Sequence, residues 1–243
     1  MKNRLLISIM LTAMLVVAGC TTNGQTVKAD PNASFKPVEK GVFSVSPTKK
    51  VRFASGNLEY DVFYRFATHQ YDYGGYFGWG TGSNPTETST KNRKYKTFDD
   101  WGSHIEGGWR TLSHNEWEYV ISGRKDANNK RGAATVCGVN GLILLPDNWN
   151  GEAFHSGFNE GYNTNVYDSS TWAGMESSGA IFLPAADYRE GTETYHIEAA
   201  GYYWSSTPIY EYAYGMGFDI SIASNDVVSS RYGGRSVRLV QDY

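Results

Sequence analysis

The chain has 243 residues and a formal net charge of −3, and 40% of its residues are hydrophobic, which suits a folded domain rather than a disordered chain. The charge is uneven, because no lysine follows Lys130 and the five arginines after it face 13 acidic residues. An acidic, lysine-free second half is a poor surface for nucleic acid or for anionic lipid, so neither is an expected partner.

Residues 1–20 have the parts of an export signal. Lys2 and Arg4 give a positive start, residues 5–17 form an apolar run, and small residues precede Cys20. The run is too short for a permanent membrane helix, which needs about 20 residues. The segment resembles a bacterial lipoprotein signal, with its lipobox at residues 17–20. This resemblance implies removal of residues 1–19, acylation of Cys20 and membrane attachment through the lipid alone, with the outer membrane as the expected location. An ordinary signal peptide that ends in cysteine is the alternative.

Residues 20–41 are polar and carry Asn, Gly, Gln, Asp and Pro, which predicts a flexible tether behind the lipid. Residues 42–243 then suit one domain. Cys20 and Cys137 are the only cysteines, so acylation of the first leaves the second without an intramolecular partner and no disulfide framework is expected. The Ala-Ala-Thr-Val run before Cys137 predicts a small core residue there.

The first third of the domain has the pattern of strands followed by a packed loop. Residues 42–45 and 50–53 alternate as half-buried strands do, with a turn at Pro47 between them. Residues 58–66 are rich in aromatics and are predicted to extend the same sheet. Residues 71–85 hold five glycines and five large aromatics, which excludes a regular helix and predicts a packed loop.

The sequence after Arg110 carries the clearest helix signal. Ser113 and Glu116 have the spacing of a capping box, in which each side chain caps the other residue's backbone N–H. Trp117, Val120 and Ile121 then share one face, and a glycine at 123 ends the run. Short strands are predicted at 142–145, 180–184, 202–206 and 236–240. One clear helix and dispersed short strands favour an α+β domain.

Several short sequence segments, taken in their order along the chain, resemble those of formylglycine-generating-enzyme-like domains. Residues 109–119 are similar to the Arg-Leu-Pro-Thr-x-x-Glu-Trp-Glu-Tyr helix of that family, although Thr111 and Leu112 replace its leucine and proline. Residues 201–207 and 234–240 resemble its closing strands. Together with residues 141–147, they look most like the Fibrobacter-succinogenes-major-paralogue-type domains of Bacteroidetes lipoproteins. The resemblance covers residues 42–243 and implies a C-type-lectin-like fold, in which a twisted antiparallel sheet and few helices support a large loop-built face.

The enzymes of this superfamily work through a cysteine pair near their C-terminal end, and residues 201–243 contain no cysteine. Copper binding or a mixed disulfide at that position is therefore excluded. No His-Glu-x-x-His, Walker or Gly-x-Ser-x-Gly motif occurs. We predict no catalytic residue, no metal ligand and no cofactor. An enzyme that uses Asp99, Glu116 or His114 on the same fold stays open as an alternative.

A second resemblance concerns the tail between Thr207 and Ser236. It looks like the C-terminal variable region of diversity-generating retroelement target proteins, in which residues on a ligand-facing surface are varied. The resemblance and the composition of the tail imply a ligand-binding set that consists of Ile209, Tyr210, Tyr212, Tyr214, Asp219, Ser221, Asn225, Ser229 and Tyr232.

The composition of the tail supports a binding role on its own. Residues 201–243 contain seven tyrosines and seven serines, the residue types that antibody loops use for contact area and adaptable hydrogen bonds. The favoured hypothesis is a non-catalytic envelope module that binds a protein or a glycan, and a structural or fimbria-associated adhesive subunit is the alternative. Trp79, Trp149 and Trp172 could stack on sugar rings or fill the core.

Overall fold

The computed structural model describes residues 34–85, 97–195 and 197–243, so the lipobox and Cys20 lie outside the described part. The described residues form a mixed α+β structure, which is mostly antiparallel sheet with two short α-helices. The strands are β1 Pro37–Ser44, β2 Lys50–Ala54, β3 Leu58–Tyr60, β4 Tyr64–Phe66, β5 Trp109–Arg110, β6 Arg131–Val136, β7 Val139–Leu144, β8 Asn159–Tyr162, β9 Val166–Tyr167, β10 Ile181–Pro184, β11 Tyr188–Glu190, β12 Glu193–Tyr195, β13 Gly201–Ile209, β14 Tyr212–Phe218, β15 Ala223–Ser230 and β16 Val240–Asp242. The α-helices are α1 His114–Glu118 and α2 Ser169–Ser177.

The first sheet joins the two ends of the domain in the order β1-β2-β16-β5. Strands at 42–45 and 50–53 are confirmed, and their outward and inward residues alternate as predicted. β1 begins at Pro37, however, which pairs with Ala54. Residues 37–41, which the sequence assigns to the tether, therefore belong to the sheet.

The prediction that residues 58–66 extend this sheet is wrong. β3 and β4 form a separate hairpin, with Leu58 opposite Phe66. The chain bends after Ala54, and Gly56 in this bend lies so close to the backbone of Ala67 that an added Cβ would sit 2.3 Å from the carbonyl oxygen. The bend removes the following strands from the register of the first sheet.

The second sheet has the order β10-β7-β6-β9, and its side chains pack against α2. The predicted strands at 142–145 and 180–184 are confirmed as β7 and β10. Cys137 is not the core residue that the sequence predicts. It lies half-buried in the β6–β7 turn with φ +50, and Gly138 follows with φ +83. Two positive φ angles are typical of a two-residue hairpin turn, which explains this placement.

The third sheet, β13-β14-β15, packs against α1. Both halves of the predicted capping box form, because the Ser113 side chain accepts from the Glu116 N–H and Glu116 accepts from the Ser113 N–H. A π-helical turn at Tyr119–Gly123 continues α1 and buries Val120 and Ile121. Trp117 lies fully buried between the helix and the sheet, so the predicted apolar face is confirmed.

Most of the closing segment, residues 236–240, does not form a strand within a single sheet. Its backbone carbonyls accept from three different elements, at Trp204, Leu58 and Ala54. Val240–Asp242 alone joins the first sheet as β16. The segment thus ties the third sheet to the first, and its side chains from Ser236 to Val240 are buried. None of the helices in the described ranges is long and apolar enough to cross a membrane.

Candidate binding face

The exposed aromatics of the tail gather where β13 turns into β14. Tyr210 occupies the turn with φ +48 and is 93% exposed, and Tyr212 is 41% exposed at the start of β14. Tyr212 and Tyr214 lie two residues apart, so they share one side of the strand, and Ile209 and Val228 are their cross-strand partners. Ala213 between them points inward and is buried. We name the side chains of Ile209, Tyr210, Tyr212, Tyr214 and Val228 the tyrosine face.

Arg231 fixes the backbone under the tip of this face. Its Nε donates to the carbonyl oxygen of Tyr212 at 2.8 Å, and its Nη2 donates to that of Tyr210 at 2.7 Å. The guanidinium lies over the ring of Trp79, 4.4 Å from the ring centroid. Trp79 is itself buried and donates to the carbonyl of Ser205. The positive φ of Tyr210 is thereby held by contacts to the core rather than by the turn alone.

A bulge in β15 brings two more polar residues to the inner end of the tyrosine face. The register shifts by one residue between Gly215 and Gly217, so Asn225 and Asp226 together oppose a single residue of β14. Asn225 Nδ2 lies 2.9 Å and Asp226 Oδ1 lies 3.1 Å from Nε2 of His114. The His114 ring stacks on Tyr214 with centroids 4.1 Å apart. This cluster joins α1 to the sheet at the edge of the face.

The nine predicted ligand-binding residues do not form one surface. Ile209, Tyr210, Tyr212 and Tyr214 belong to the tyrosine face, and Asn225 lies beside it. Asp219 and Ser221 lie beyond the other end of β14, roughly 20 Å away for a seven-residue strand. There Asp219 Oδ1 accepts from the N–H and Oγ of Ser221, each at 2.7 Å, as in an Asx turn.

Two further predicted residues are also set apart from the tyrosine face. Ser229 is only 7% exposed, and its Oγ accepts from Arg235, so it lies on the inner side of the sheet. The prediction of Ser229 as ligand-facing is therefore wrong, because β15 alternates and its neighbours Val228 and Ser230 take the outward positions. Tyr232 is half-buried in the turn after β15.

Sequence reasoning missed an aromatic cluster around Arg235. Its guanidinium lies 4.3 Å from the ring centroid of Tyr188 and 5.3 Å from that of Tyr202. Tyr195 stacks on Tyr188 across the β11–β12 hairpin, with the two ring centroids 5.1 Å apart. Burial lowers the pKa of Arg235. No local pattern could have revealed this cluster, because Arg235 follows the three tyrosines by more than 30 residues and meets Tyr188 and Tyr202 only in the folded chain.

The residues that an enzyme would use are held in structural contacts. Glu116 pairs with Arg110 through both carboxylate oxygens, at 2.8 and 2.9 Å, besides capping α1. Asp99 accepts from the hydroxyl of Ser83 and contacts Nε2 of His104 at 2.8 Å. The aspartate lies between the serine and the histidine, whereas a Ser-His-Asp triad needs the histidine in the middle.

The Arg110 and Glu116 pair gives a pH-dependent prediction. Burial raises the pKa of Glu116, but the hydrogen bonds from Arg110 and from the Ser113 N–H outweigh it and hold the pKa below its ordinary value of 4.5. A carboxyl with a lowered pKa in the folded state stabilises the fold above that value and loses this contribution as the pH falls through the folded pKa. We expect Glu116→Gln to lower the free energy of unfolding by about 1–2 kcal/mol at neutral pH.

The measurement is urea unfolding of Glu116→Gln and of the parent at several pH values. The two stability curves should converge in acid, because protonation removes the same ion pair that the substitution removes. Glu118→Gln is the matched control, since Glu118 is exposed on the same helix. A constant gap between the Glu116→Gln and parent curves at all pH values would contradict the account.

Among the described residues, neither the tryptophans nor the potential metal ligands form a second candidate binding site. Trp79 and Trp172 are buried, so filling the core describes them better than stacking on sugars, and Trp149 is half-buried against the second sheet. Within residues 34–85, 97–195 and 197–243, no group of three or more His, Cys, Asp or Glu side chains could hold a metal ion.

Comparison with protein-family models, with curated proteins and with solved structures finds no match for this chain.

Proposed function

We propose that the chain is a lipid-anchored module of the bacterial cell envelope that binds a ligand through the tyrosine face and has no catalytic activity. The observation that carries this proposal is the exposure of Tyr210 and Tyr212 on a backbone that Arg231 fixes. Tyrosine offers a large, rigid contact with a polar end at low entropic cost, and a fixed backbone lowers the cost of binding further. The ligand is a protein or a glycan.

The fold that we propose for this module is C-type-lectin-like. A short capped helix packs on an antiparallel sheet, and the last strand, β16, pairs with β2 from the start of the domain. Long segments without helices or regular strands, such as residues 67–85, contribute side chains to the core, among them Phe77 and Trp79. These features support the resemblance to the lectin-like superfamily, in which loops and hairpins rather than the core carry the ligand.

The lipid anchor rests on the sequence of residues 1–20. Cells grown with labelled palmitate should incorporate label into the parent chain and fail to do so for Cys20→Ser, because the Cys20 thiol is the attachment point of the lipid. Cys137→Ser is the matched control and should keep the label. Equal labelling of the Cys20→Ser and parent chains would contradict the anchor without affecting the proposal for the tyrosine face.

The binding role is tested with the double variant Tyr210→Ala/Tyr212→Ala. Screening of glycan and peptide arrays with the full-length protein in detergent should yield a ligand whose affinity falls by more than about 30-fold in this variant, as for two interface hot spots. Unfolding should change little, because both side chains project into solvent. Tyr214 is left intact, since it stacks on His114.

Tyr195→Ala/Tyr243→Ala is the matched control, because both tyrosines are exposed on other surfaces. It should bind like the parent. A double variant at 210 and 212 that binds normally would exclude the tyrosine face as the ligand-binding site. A double variant that unfolds would show that these residues stabilise the domain instead.

The resemblance to retroelement targets leads to a related proposal, that the tyrosine face is the diversified surface. Ile209, Tyr210 and Tyr212 project outward, so substitutions there are tolerated, whereas Ser229 is buried against Arg235. A reverse transcriptase and a near-copy of the 3′ end in the adjacent DNA would support the proposal. Adjacent DNA without either would contradict it.

A further inference from the structure

None of the arginines in the second half of the chain is fully exposed, because each is buried or half-buried. Arg238 and Arg231 are buried, and the guanidinium of Arg235 is covered by Tyr188 and Tyr202. Arg189 lies over the ring of Tyr76, and Arg131 donates to the carbonyl of Ala223 and to Asn128. These are all five arginines after Lys130, and no lysine accompanies them. The exposed surface of this half is therefore more negative than its composition indicates.

Two carboxylates from the second half of the chain flank the tyrosine face. Glu211 is exposed between Tyr210 and Tyr212 at the tip. Asp226 has a side chain that is 77% exposed at the other end, beside His114. Among the described residues, neither carboxylate forms an ion pair with a lysine or an arginine. A ligand without positive charge that covered this face would remove the carboxylates from water without pairing their charge.

The chemistry of the face instead matches a cation. Tyrosine rings attract ammonium and guanidinium groups through their faces, and carboxylates add charge-assisted hydrogen bonds. The spacing also matters. Tyr212 pairs with Ser230, and Asp226 lies four residues from Ser230 along β15, which is about 13 Å in a strand. An extended peptide with basic residues about four positions apart would meet both ends, and an apolar residue between them would cover Val228.

From this arrangement we infer that the ligand of the tyrosine face is a basic, extended peptide segment of a partner protein. The inference rests on the proposed function and specifies its ligand. Charge complementarity then sets specificity and the rate of association, while the tyrosines supply most of the contact. A neutral glycan could donate hydroxyl hydrogen bonds to Glu211 or Asp226 but would leave their negative charge unpaired.

The test is selection from a random dodecapeptide display library on the full-length protein in detergent. The enriched peptides should contain more lysine and arginine than the unselected library. The affinity of one selected peptide should fall about tenfold or more for Glu211→Gln/Asp226→Asn and fall with rising salt. Glu160→Gln/Glu193→Gln is the matched control, because these carboxylates are exposed elsewhere, and it should bind like the parent.

The outcomes separate this inference from the proposed function. In one outcome, the enriched peptides are neutral or acidic and lose their binding in Tyr210→Ala/Tyr212→Ala. This result would overturn the inference of a basic ligand but leave the tyrosine face as the binding site. Enriched peptides that bind this tyrosine variant normally would overturn both. A library that yields no binder, beside a glycan array that yields one dependent on the tyrosines, would also overturn the inference and keep the face.

Discussion

Replacing Arg238 with methionine is expected to cause the largest loss of stability of any single substitution considered for this chain. The side chain is 1% exposed, and its guanidinium donates from every nitrogen. Nε reaches Asn57 Oδ1 at 2.9 Å, Nη1 reaches the carbonyl of Ala54 at 3.1 Å, and Nη2 reaches that of Phe182 at 2.8 Å. Arg238 therefore connects the turn after β2, strand β10 and the closing segment.

Methionine fills similar space but leaves these buried acceptors without donors. Each buried acceptor left without a donor costs about 1–3 kcal/mol, so the loss over three acceptors is a large share of the 5–15 kcal/mol that stabilises a typical domain. Burial lowers the pKa of Arg238 to about 10, so the group remains charged at neutral pH. We expect a variant that is partly or wholly unfolded under mild conditions.

Urea unfolding at neutral pH measures the effect. Arg65→Met is the matched control, because the ion pairs of Arg65 with Glu59 and Asp61 lie at the surface. Such pairs contribute about 1 kcal/mol or less, so the control should unfold close to the parent. An Arg238→Met variant as stable as the control would show that the buried network does not hold the sheets together.

Replacing Arg231 with methionine is expected to weaken ligand binding without touching a side chain of the tyrosine face. The substitution removes both hydrogen bonds to the carbonyls of Tyr210 and Tyr212. Hydrogen bonds from a charged donor contribute about 1.5–3 kcal/mol each at most, so the hairpin tip should lose its single conformation. Because ordering the tip then becomes part of binding, the affinity should fall about tenfold or more.

Hydrogen exchange and ligand titration on the same samples measure this prediction. The amides of residues 209–212 should exchange faster in Arg231→Met, while the amides of α1 keep their protection. Arg131→Met is the matched control, since Arg131 lies at the Ala223 end of β15. Unchanged affinity together with faster exchange at the tip would show that a rigid hairpin is not needed for binding.

The elements that depend on neighbours in sequence could be predicted. The capping box of α1 needs residues three apart, and the strands at 42–45 and 50–53 need only alternation and a turn. The predictions that failed concern features that depend on contacts between residues distant in sequence. Nothing near residue 58 shows that Gly56 approaches Ala67, and nothing near Cys137 shows that it occupies a turn with positive φ.

The same distinction explains how far the site could be predicted. Composition alone located the tail, and the hairpin at residues 209–212 is a local feature. Separating Asp219 and Ser221 from the tyrosines required the pairing of β13, β14 and β15. Placing Ser229 inside required its pairing with Ala213, and bringing Asn225 to His114 required the bulge, whose position has no signature in this sequence. The role of Arg231 depends on Trp79, which lies far away in the chain.

Hydroxyl-radical footprinting of the tyrosines, with and without a ligand selected on the full-length protein, tests the central claim most directly. Exposed rings react with the radical, and a bound ligand protects only the rings that it covers. We predict that Tyr210 and Tyr212 become protected while Tyr195 and Tyr243, which are also exposed, react as before. Unchanged labelling of Tyr210 and Tyr212 in a saturated complex would contradict the proposal that this hairpin is where the protein meets its ligand.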